Sequence, residues 1–246
     1  LYDGVTEYIR EYYNLAQQEE NQAVGFTMVI YQKRLVSSIY AIRKSLENRM
    51  RAIQSDAVAE ELPEDVQQLI PRYSTEPETL TDAERTRVEE ELETVTLRLN
   101  QSQIQAELNR VKELWQQAKN IETDSKAQLL KQFVDRILRD DPDEKILIFT
   151  EYTDTLEYLR DEIFAGYDVT QIYGDLDQAQ RRREMARFEE EANLMLATDA
   201  AQEGLNLQFA HIMVNYDLPW NPTRIDQRMG RLHRYGPEHT VEIRNL

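Results

Sequence analysis

The clearest structural signal in the chain is Lys145-Ile146-Leu147-Ile148-Phe149-Thr150. It is a continuous apolar run without the alternation of a strand that faces solvent on one side, so it predicts a parallel β-strand covered on both faces. Further strand-like segments follow, with helical segments between them, and they are predicted at 169–173, 193–197, 211–215 and 240–245. Strands that alternate with helices indicate an α/β fold, in which a parallel sheet carries helices on both sides.

Polar residues follow directly after the predicted strands, and they are Thr150-Glu151-Tyr152, Gly174-Asp175, Thr198-Asp199 and Asp217. Parallel strands end at one edge of a sheet, and ligands bind beyond that edge. Asp177 predicts the start of a helix that runs to residue 188, and Asn221-Pro222 predicts the start of another. We therefore expect the functional site along this edge.

The first 140 residues show helical periodicity. Apolar residues between positions 24 and 53 step by three or four, which predicts one long amphipathic helix with a continuous apolar stripe. Gly25 costs a helix about 1 kcal/mol relative to alanine, so the helix is expected to start after it. A shorter stripe from Val5 to Ala16 predicts a helix before it.

The segment from residue 55 to 120 contains helix signals separated by breaks. Three prolines, from Pro63 to Pro77, predict a connection with at most a short helix. Thr81-Asp82-Ala83-Glu84 matches a capping box, and the apolar spacing breaks near Asn100-Gln101-Ser102. We expect an antiparallel helical protrusion here, and the alternative is a bundle or coiled-coil arm that packs only on itself.

These patterns divide the chain into three parts. The predicted parts are a helical region at 1–54, a helical protrusion or insertion at 55–123 and an α/β domain at 124–246, which begins with a helix at 124–139. The chain starts without methionine, and it stops within the alternating segment 241–246. We therefore expect a piece of a longer protein, with a truncated last domain.

The composition argues against several classes of protein. The 246 residues include no cysteine and only three histidines, so neither a disulfide framework nor a metal site is expected. No apolar run approaches the roughly 18 residues of a membrane span, and no signal peptide is visible. We therefore expect a cytoplasmic protein without a membrane partner.

The net charge of −17, from 29 basic and 46 acidic residues, argues against nucleic-acid binding through bulk positive charge. Any contact with phosphate must therefore be local. Only seven of the basic residues are lysine. Many carboxylates with few lysines suit a very salty cytoplasm, where repulsion among carboxylates is screened. The composition supports a halophile hypothesis, and an ordinary acidic surface is the alternative.

Arginines recur every third residue near the carboxy terminus, at Arg228, Arg231 and Arg234. On a helix, residues three apart are neighbours, so this spacing places guanidinium groups along one face. Such a face needs an anionic partner, and we expect the γ-phosphate of a nucleotide that another domain holds.

Four blocks in residues 145–246 resemble motifs of superfamily-two helicases, in the order found there. The blocks are 145–153 (motif IV), Tyr173-Gly174-Asp175 with Arg181 and Phe188 (motif IVa), 197–208 (motif V) and 217–236 (motif VI). Residues 145–246 therefore look like the second RecA-like lobe of these enzymes, and residues 1–52 resemble the helical region that follows the first lobe. The last block is similar to Swi/Snf-like translocases, and Gly230 and Pro237 depart from eukaryotic remodellers, which favours a prokaryotic type.

The resemblance implies roles for individual residues. Arg231 and Arg234 are implied to be arginine fingers on ATP, and Arg228 a structural ion-pair partner. Nucleotide contacts are implied for Glu203, Gly204, Gln227 and Asp199. Nucleic-acid contacts are implied for Thr150, Tyr152, Thr153, Gly174 and Thr198, because hydroxyls and N–H groups at helix starts bind phosphate without net positive charge. Ordinary capping is the alternative for the threonines. Contact with a phosphate backbone is expected for Arg181, which matches a family position, and is one alternative for Arg182 and Arg183, for which a solvated basic turn is the other.

The sequence contains no G-x-x-x-x-G-K-[ST] loop and no acidic Walker B box, which hold ATP and Mg²⁺ in this superfamily. The resemblance thus implies an ATP hydrolase in the intact parent, with ATP and Mg²⁺ bound mainly by a first lobe, and no ATPase activity of this chain alone. The implied function is translocation on double-stranded DNA. A non-catalytic interaction module, made of a helical arm and a degenerate lobe, is one alternative, and an RNA helicase lobe is another.

The halophile hypothesis predicts that the melting temperature rises from dilute to molar KCl, because salt screens the repulsion among the carboxylates. Thermal unfolding followed by circular dichroism measures this change. A melting temperature that does not increase with KCl would contradict the hypothesis and leave an ordinary acidic surface.

Overall fold

The computed structural model describes residues 1–18, 21–55, 62–75, 79–95, 100–122, 124–174, 176–198, 207, 209–219, 222–232 and 241–246. Within these ranges, the side chains of residues 74, 82, 222, 231 and 232 are outside the description. The chain divides into two compact units, Leu1–Glu122 and Thr123–Leu246. No helix among the described residues is both long enough and apolar enough to cross a lipid bilayer.

The first unit is helical in its described residues. Its helices are α1 (Tyr2–Gln18), α2 (Gln22–Ser37), α3 (Ile39–Gln54), α4 (Glu64–Thr75), α5 (Asp82–Thr94) and α6 (Gln101–Lys119). Each helix contributes fully buried side chains to one apolar core, and these include Val5, Tyr31, Leu46, Val66, Val88 and Val111. The predicted stripe from Val5 to Ala16 is confirmed as the buried face of α1.

The single long helix predicted between residues 24 and 53 is wrong, because the chain leaves the helical conformation at Ser38. This residue has extended backbone angles, φ −154° and ψ 153°, so α2 ends before it and α3 begins after it. Its hydroxyl oxygen accepts a hydrogen bond from the N–H of Ala41 at 3.0 Å and so caps α3. Both helices bury their apolar stripes in the same core, which explains why the spacing continues across the break.

Helix α2 starts at Gln22, and the prediction that it starts after Gly25 is also wrong. The side-chain oxygen of Asn21 accepts a hydrogen bond from the N–H of Val24 at 3.1 Å, which stabilises the helix start. Gly25 is buried beside α1, where an added Cβ would lie 3.9 Å from the Cβ of Ala16. The cap and this packing offset the cost of a glycine inside the helix.

The helices between residues 55 and 120 pack in the same unit as those of residues 1–54, where the sequence pattern predicts a separate protrusion. Helix α4 has 12 residues and contains Pro71, so it is longer than its prolines predict. Its residues Val66 and Tyr73 are buried in the core, and this burial stabilises the helix around the proline. The capping box that begins at Thr81 is confirmed, and the break near Asn100 is confirmed as the N-cap of α6.

Buried ion pairs connect the helices of the first unit. Arg34 on α2 pairs with Glu89 on α5 at 2.7 Å, and Arg49 on α3 pairs with Glu107 on α6 at 2.8 Å. The hydroxyl of Tyr8 on α1 also donates to Glu107, at 3.0 Å. A buried charge that loses its partner is costly, so these pairs restrict which helices can pack together.

The second unit is an α/β fold. Its elements are α7 (Ser125–Asp140), β1 (Ile146–Thr150), α8 (Thr153–Tyr158), β2 (Val169–Ile172), α9 (Gln178–Glu190), β3 (Leu194–Thr198), β4 (Ile212–Asn215), α10 (Pro222–Leu232) and β5 (Glu242–Asn245). A π-helical turn, Leu159–Ile163, continues α8. The strands pair in parallel in the order β2-β3-β1-β4-β5. The predicted parallel sheet is therefore confirmed, and the predicted strands agree with the observed ones within two residues.

Helices cover both faces of the sheet. On one face, Phe149 and Met213 belong to a core that contains Phe188 of α9 and has Met229 of α10 packed against it. Alternate strand residues point to the opposite face, along which α7 and α8 lie. The ends of β1, β3 and β4 form one edge, called the carboxyl edge below.

The variant Arg49→Met should lower the free energy of unfolding by about 3–5 kcal/mol, because it leaves the carboxylate of Glu107 buried without its charge partner. Urea denaturation measures the loss. The matched control is Arg51→Met, since Arg51 pairs with Glu47 at 2.6 Å on the surface, where an ion pair contributes about 0–1 kcal/mol. Equal losses in the two variants would contradict the importance of the buried pair.

Burial raises the pKa of Glu93 above its ordinary value of 4.5, because desolvation disfavours the charged carboxylate. A raised pKa in the folded state stabilises the fold below the unfolded pKa, and this contribution is lost as the pH rises through the folded pKa. The variant Glu93→Gln lacks the titrating group. Its free energy of unfolding, relative to the native chain, should therefore increase as the pH rises from about 4 through the raised pKa of Glu93.

Urea denaturation at a series of pH values measures this difference. The control is Glu90→Gln on the same helix, because Glu90 is exposed. The prediction fails if the relative stability of Glu93→Gln is constant with pH or follows that of Glu90→Gln.

Candidate functional site

Main-chain pairing fixes the position of Asp217 just beyond β4. The N–H of Tyr216 donates to the carbonyl of Phe149 at 2.8 Å, and the N–H of Asp217 reaches the same oxygen at 3.4 Å. The pairing of β1 with β4 thus continues past Asn215, the last residue of the strand. Asp217 is consequently held at the carboxyl edge, where it is 7% exposed.

The carboxylate of Asp217 joins the loop after β4 to two other elements. Its Oδ2 accepts hydrogen bonds from the hydroxyl of Thr150 at 2.6 Å and from the N–H of Glu151 at 3.1 Å, both at the end of β1. Its Oδ1 accepts a hydrogen bond from Nζ of Lys126, in the first turn of α7, at 3.0 Å. Hydrogen bonds between ionised groups are about twice as strong as neutral ones, so this carboxylate ties β1 and α7 together.

Arg228 anchors α10 at the same place. Its side chain is fully buried, and its Nη1 donates to the side-chain oxygen of Asn215 at 2.6 Å and to the carbonyl of Asp217 at 3.1 Å. The guanidinium carbon lies 4.8 Å from the centre of the Phe149 ring, within the range of a cation–π contact. The predicted row of outward guanidinium groups is therefore wrong for Arg228, which points into the unit. These contacts give Arg228 a structural role, and the ion pair predicted for it stays a prediction.

The polar contacts extend from α10 to the last strand. The side-chain nitrogen of Asn215 donates to the side-chain oxygen of Asn245 on β5 at 2.8 Å. Asn215 therefore accepts with its amide oxygen and donates with its amide nitrogen. A continuous chain of hydrogen bonds thus runs from β5 through β4 and α10 to β1 and α7.

The residues predicted to contact nucleic acid follow or end neighbouring strands. Thr150 and Thr198 are register partners at the ends of β1 and β3, and both are fully buried. Tyr152 is 4% exposed. Thr153 at the start of α8 and Gly174 after β2 are partly exposed. The five positions therefore lie along the carboxyl edge of the sheet. Of these, Thr153 and Gly174 are partly exposed to solvent.

Arg181 shapes the loop that contains Gly174. Its Nε donates to the carbonyl of Leu176 at 3.0 Å, and its Nη2 donates to the carbonyl of Gly174 at 2.9 Å. Asp177 caps α9, as its sequence position predicts. The hydrogen bond that its carboxylate accepts from the N–H of Gln180 is the main cause that lowers the pKa of this carboxyl. The guanidinium of Arg181 thus donates to the loop backbone, whereas contact with a phosphate backbone is predicted for it.

Several predicted site residues lie outside the described residues. They are Asp199, Glu203, Gly204, Arg234 and the side chain of Arg231. Gln227 is exposed on α10, and Arg182 and Arg183 are exposed on α9. The roles assigned to these residues stay predictions. In the ranges that the structure covers, no cluster of three or more acidic or histidine side chains could hold a metal ion.

Sequence reasoning does not identify Lys126 or Asn215. An asparagine at the end of the apolar strand Ile212–Asn215 is a signal, because a buried amide needs a hydrogen-bonding partner. A lysine in the first turn of a helix has no comparable signature. Asp217 stands out as a polar residue after a strand, but its partners depend on tertiary contacts.

The variant Thr150→Val should lower the free energy of unfolding by about 1–3 kcal/mol, because it keeps the side-chain shape but removes the hydroxyl donor to Asp217. Urea denaturation measures the loss. The control is Thr150→Ser, which keeps the hydroxyl and should retain most of this stability. An unchanged stability of Thr150→Val would contradict a structural role for this hydroxyl.

Comparison with known proteins finds a family match within the second unit and relatives that share part of this chain. Residues 125–236 match the family model described as the helicase conserved C-terminal domain. The uncharacterized ATP-dependent helicase YqhH of Bacillus subtilis (strain 168) is 41% identical over 105 residues, which are 42% of this chain and 19% of that protein. The RNA polymerase-associated protein RapA of Pseudomonas savastanoi pv. phaseolicola is 33% identical over 104 residues, which are 40% of this chain and 11% of RapA. The matches thus span less than a fifth of the length of these relatives.

A solved structure has a related fold. The helicase domain of Hef from Pyrococcus furiosus aligns with a TM-score of 0.50 and 17% identity, over 92% of this chain and 38% of that one. This similarity concerns the fold alone. The family match over residues 125–236 and the five-stranded parallel sheet together make this part of the chain similar to the helicase conserved C-terminal domain.

Proposed function

We propose that this chain is the carboxy-terminal part of an ATP-dependent translocase on double-stranded DNA, of prokaryotic Swi/Snf-like type. Its helicase C-terminal domain is shared with an ATP-dependent helicase, which supports an ATP hydrolase as the parent protein. In this proposal the second lobe supplies arginine fingers and part of the nucleic-acid surface. The nucleic-acid substrate implies a cytoplasmic site of action.

The observation that carries the proposal is the anchoring of α10 at the carboxyl edge by the buried Arg228. Ligands of parallel α/β sheets bind beyond this edge. Arg231 follows three residues later in the same helix, and Arg234 lies within the family match, which ends at residue 236. A helix fixed by a buried charge gives the residues after it a constant position, and a catalytic group needs such positioning.

Two lobes divide the work in this proposal. ATP and Mg²⁺ bind mainly to a first lobe with a P-loop, since the 246 residues contain no such loop. Closure of the lobes brings Arg231 and Arg234 to the γ-phosphate, where they neutralise charge on the transferring phosphoryl group. Further nucleotide contacts come from Glu203, Gly204, Gln227 and Asp199. The chain alone therefore has no ATPase activity.

Nucleic acid binds at the same edge through the partly exposed Thr153 and Gly174. The buried Thr150, Tyr152 and Thr198 hold the backbone of this surface in place. Local donors of this kind contact phosphate without bulk positive charge, which suits a chain with a net charge of −17. The resemblance of motif VI to Swi/Snf-like translocases favours duplex DNA over RNA.

The variant Arg234→Ala of the full-length protein should have a kcat for ATP hydrolysis about 10³–10⁵-fold below that of the native protein, as expected for a lost arginine finger. The KM for ATP should change little, because the first lobe holds most of the nucleotide. Steady-state ATPase assays with duplex DNA, with duplex RNA and without nucleic acid measure both constants.

The control is Arg139→Ala, which removes an exposed arginine at the end of α7. Native turnover of Arg234→Ala would refute the finger assignment. Stimulation by RNA and not by duplex DNA would identify an RNA helicase lobe. A native full-length protein without ATPase activity would favour the non-catalytic interaction module.

A further inference from the structure

Helix α7 begins where the helical unit ends. The first unit stops at Glu122, and α7 starts at Ser125 after its N-cap Asp124. The side chain of Asp124 accepts a hydrogen bond from the N–H of Lys126 at 3.0 Å, which fixes the first turn of the helix. Lys126 therefore lies four residues after the last residue of the helical unit.

The side chain of Lys126 leads from this turn to the carboxyl edge. Its Nζ lies 3.0 Å from Oδ1 of Asp217. The same nitrogen lies 4.2 Å from the centre of the ring of Tyr216, the residue that precedes Asp217. The ring is fully buried and the aspartate is 7% exposed, so the ammonium group lies at the boundary of the interior. Such a pair is screened less by solvent than a surface pair.

The other contacts of Asp217 carry the connection onward to α10. Its Oδ2 is held by the end of β1, and its carbonyl oxygen accepts the hydrogen bond from Nη1 of Arg228. One residue thus presents its side chain to Lys126 and its main chain to Arg228. A shift of Asp217 would move an acceptor of the buried guanidinium, and α10 would have to follow or lose that hydrogen bond.

We propose that Lys126 is a positioning residue, which couples the start of α7 to the helix that carries Arg231. The catalytic part of this inference rests on the function proposed above. With the Lys126–Asp217 pair formed, α10 is held in the position from which Arg231 meets the γ-phosphate. With the pair broken, the nearly buried carboxylate loses the ammonium charge of Lys126, and α10 loses part of its fixed position.

A matched control lies on the same helix. Lys131 pairs with Asp135 at 3.1 Å, four residues away, and its Nζ is 3.0 Å from the hydroxyl of Tyr167. Both side chains of this ion pair are more than a third exposed, and the pair belongs to the surface of α7. The variants Lys126→Met and Lys131→Met therefore remove the same charge, and only the first breaks the contact with Asp217.

The first measurement is amide hydrogen exchange of α10 in this chain, which requires no ATPase activity. Lys126→Met should increase the exchange rates of the α10 amides by at least about tenfold, while Lys131→Met should leave them unchanged. Lys126→Arg keeps a charged donor and should restore protection. Unchanged protection of α10 in Lys126→Met would overturn the coupling.

The second measurement is the ATPase activity of the full-length protein with duplex DNA. Lys126→Met should lower kcat by about 10- to 100-fold with a KM for ATP within about twofold of native, because misplacement of a catalytic group costs turnover more than binding. Lys126→Arg should recover most of the rate. A native kcat in Lys126→Met, in a protein whose α10 has lost protection, would overturn the positioning role.

The two measurements separate the inference from the function on which it rests. If the native full-length protein hydrolyses no ATP, the proposed function fails. The positioning role then fails with it, and the exchange data still decide whether Lys126 couples α7 to α10. If the native protein is active and Lys126→Met behaves like Lys131→Met in both assays, the proposed function stands and this inference fails.

Discussion

A guanidinium group that is shut off from water must find acceptors inside the protein, and Arg228 meets this constraint at the carboxyl edge of the sheet. The side chain of Asn215 and the main chain of Asp217 supply acceptors, and the ring of Phe149 lies beside the charge. Helix α10 therefore cannot slide or rotate without leaving a buried charge unmatched. The same aspartate holds the end of β1 and the start of α7, so the arrangement of this edge depends on a few polar contacts.

Buried arginines that pair with acceptors in the interior also stabilise the helical unit. Its buried pairs, Arg34 with Glu89 and Arg49 with Glu107, join helices that are distant in sequence. Apolar faces can pack in several registers, whereas a buried charge accepts few partners, and we regard these pairs as determinants of specificity in the helical packing. In a chain with 46 acidic residues, these two arginines also neutralise the charge of two buried carboxylates.

The sequence predicts those features that depend on local signals. The parallel sheet, the capping box at Thr81 and the helix start at Asp177 follow from periodicity and capping chemistry, and the structure contains all three. The periodicity of apolar residues does not reveal the break at Ser38, because the two helices on either side of it share one core and keep the same apolar spacing. The periodicity does not predict the burial of Thr150 either, since a residue at the end of a strand can face solvent or a neighbouring loop. The contact of Lys126 with Asp217 joins residues 91 positions apart, and only tertiary structure brings them together.

The buried hydrogen bond between Arg228 and Asn215 holds α10 on the sheet. A double-mutant cycle of Arg228→Met and Asn215→Leu, measured as free energies of unfolding in urea, tests it most directly. We predict a coupling energy of about 1.5–3 kcal/mol, the range for a hydrogen bond to a charged group. A coupling energy within about 0.5 kcal/mol of zero, the limit of additivity for independent sites, would contradict the account.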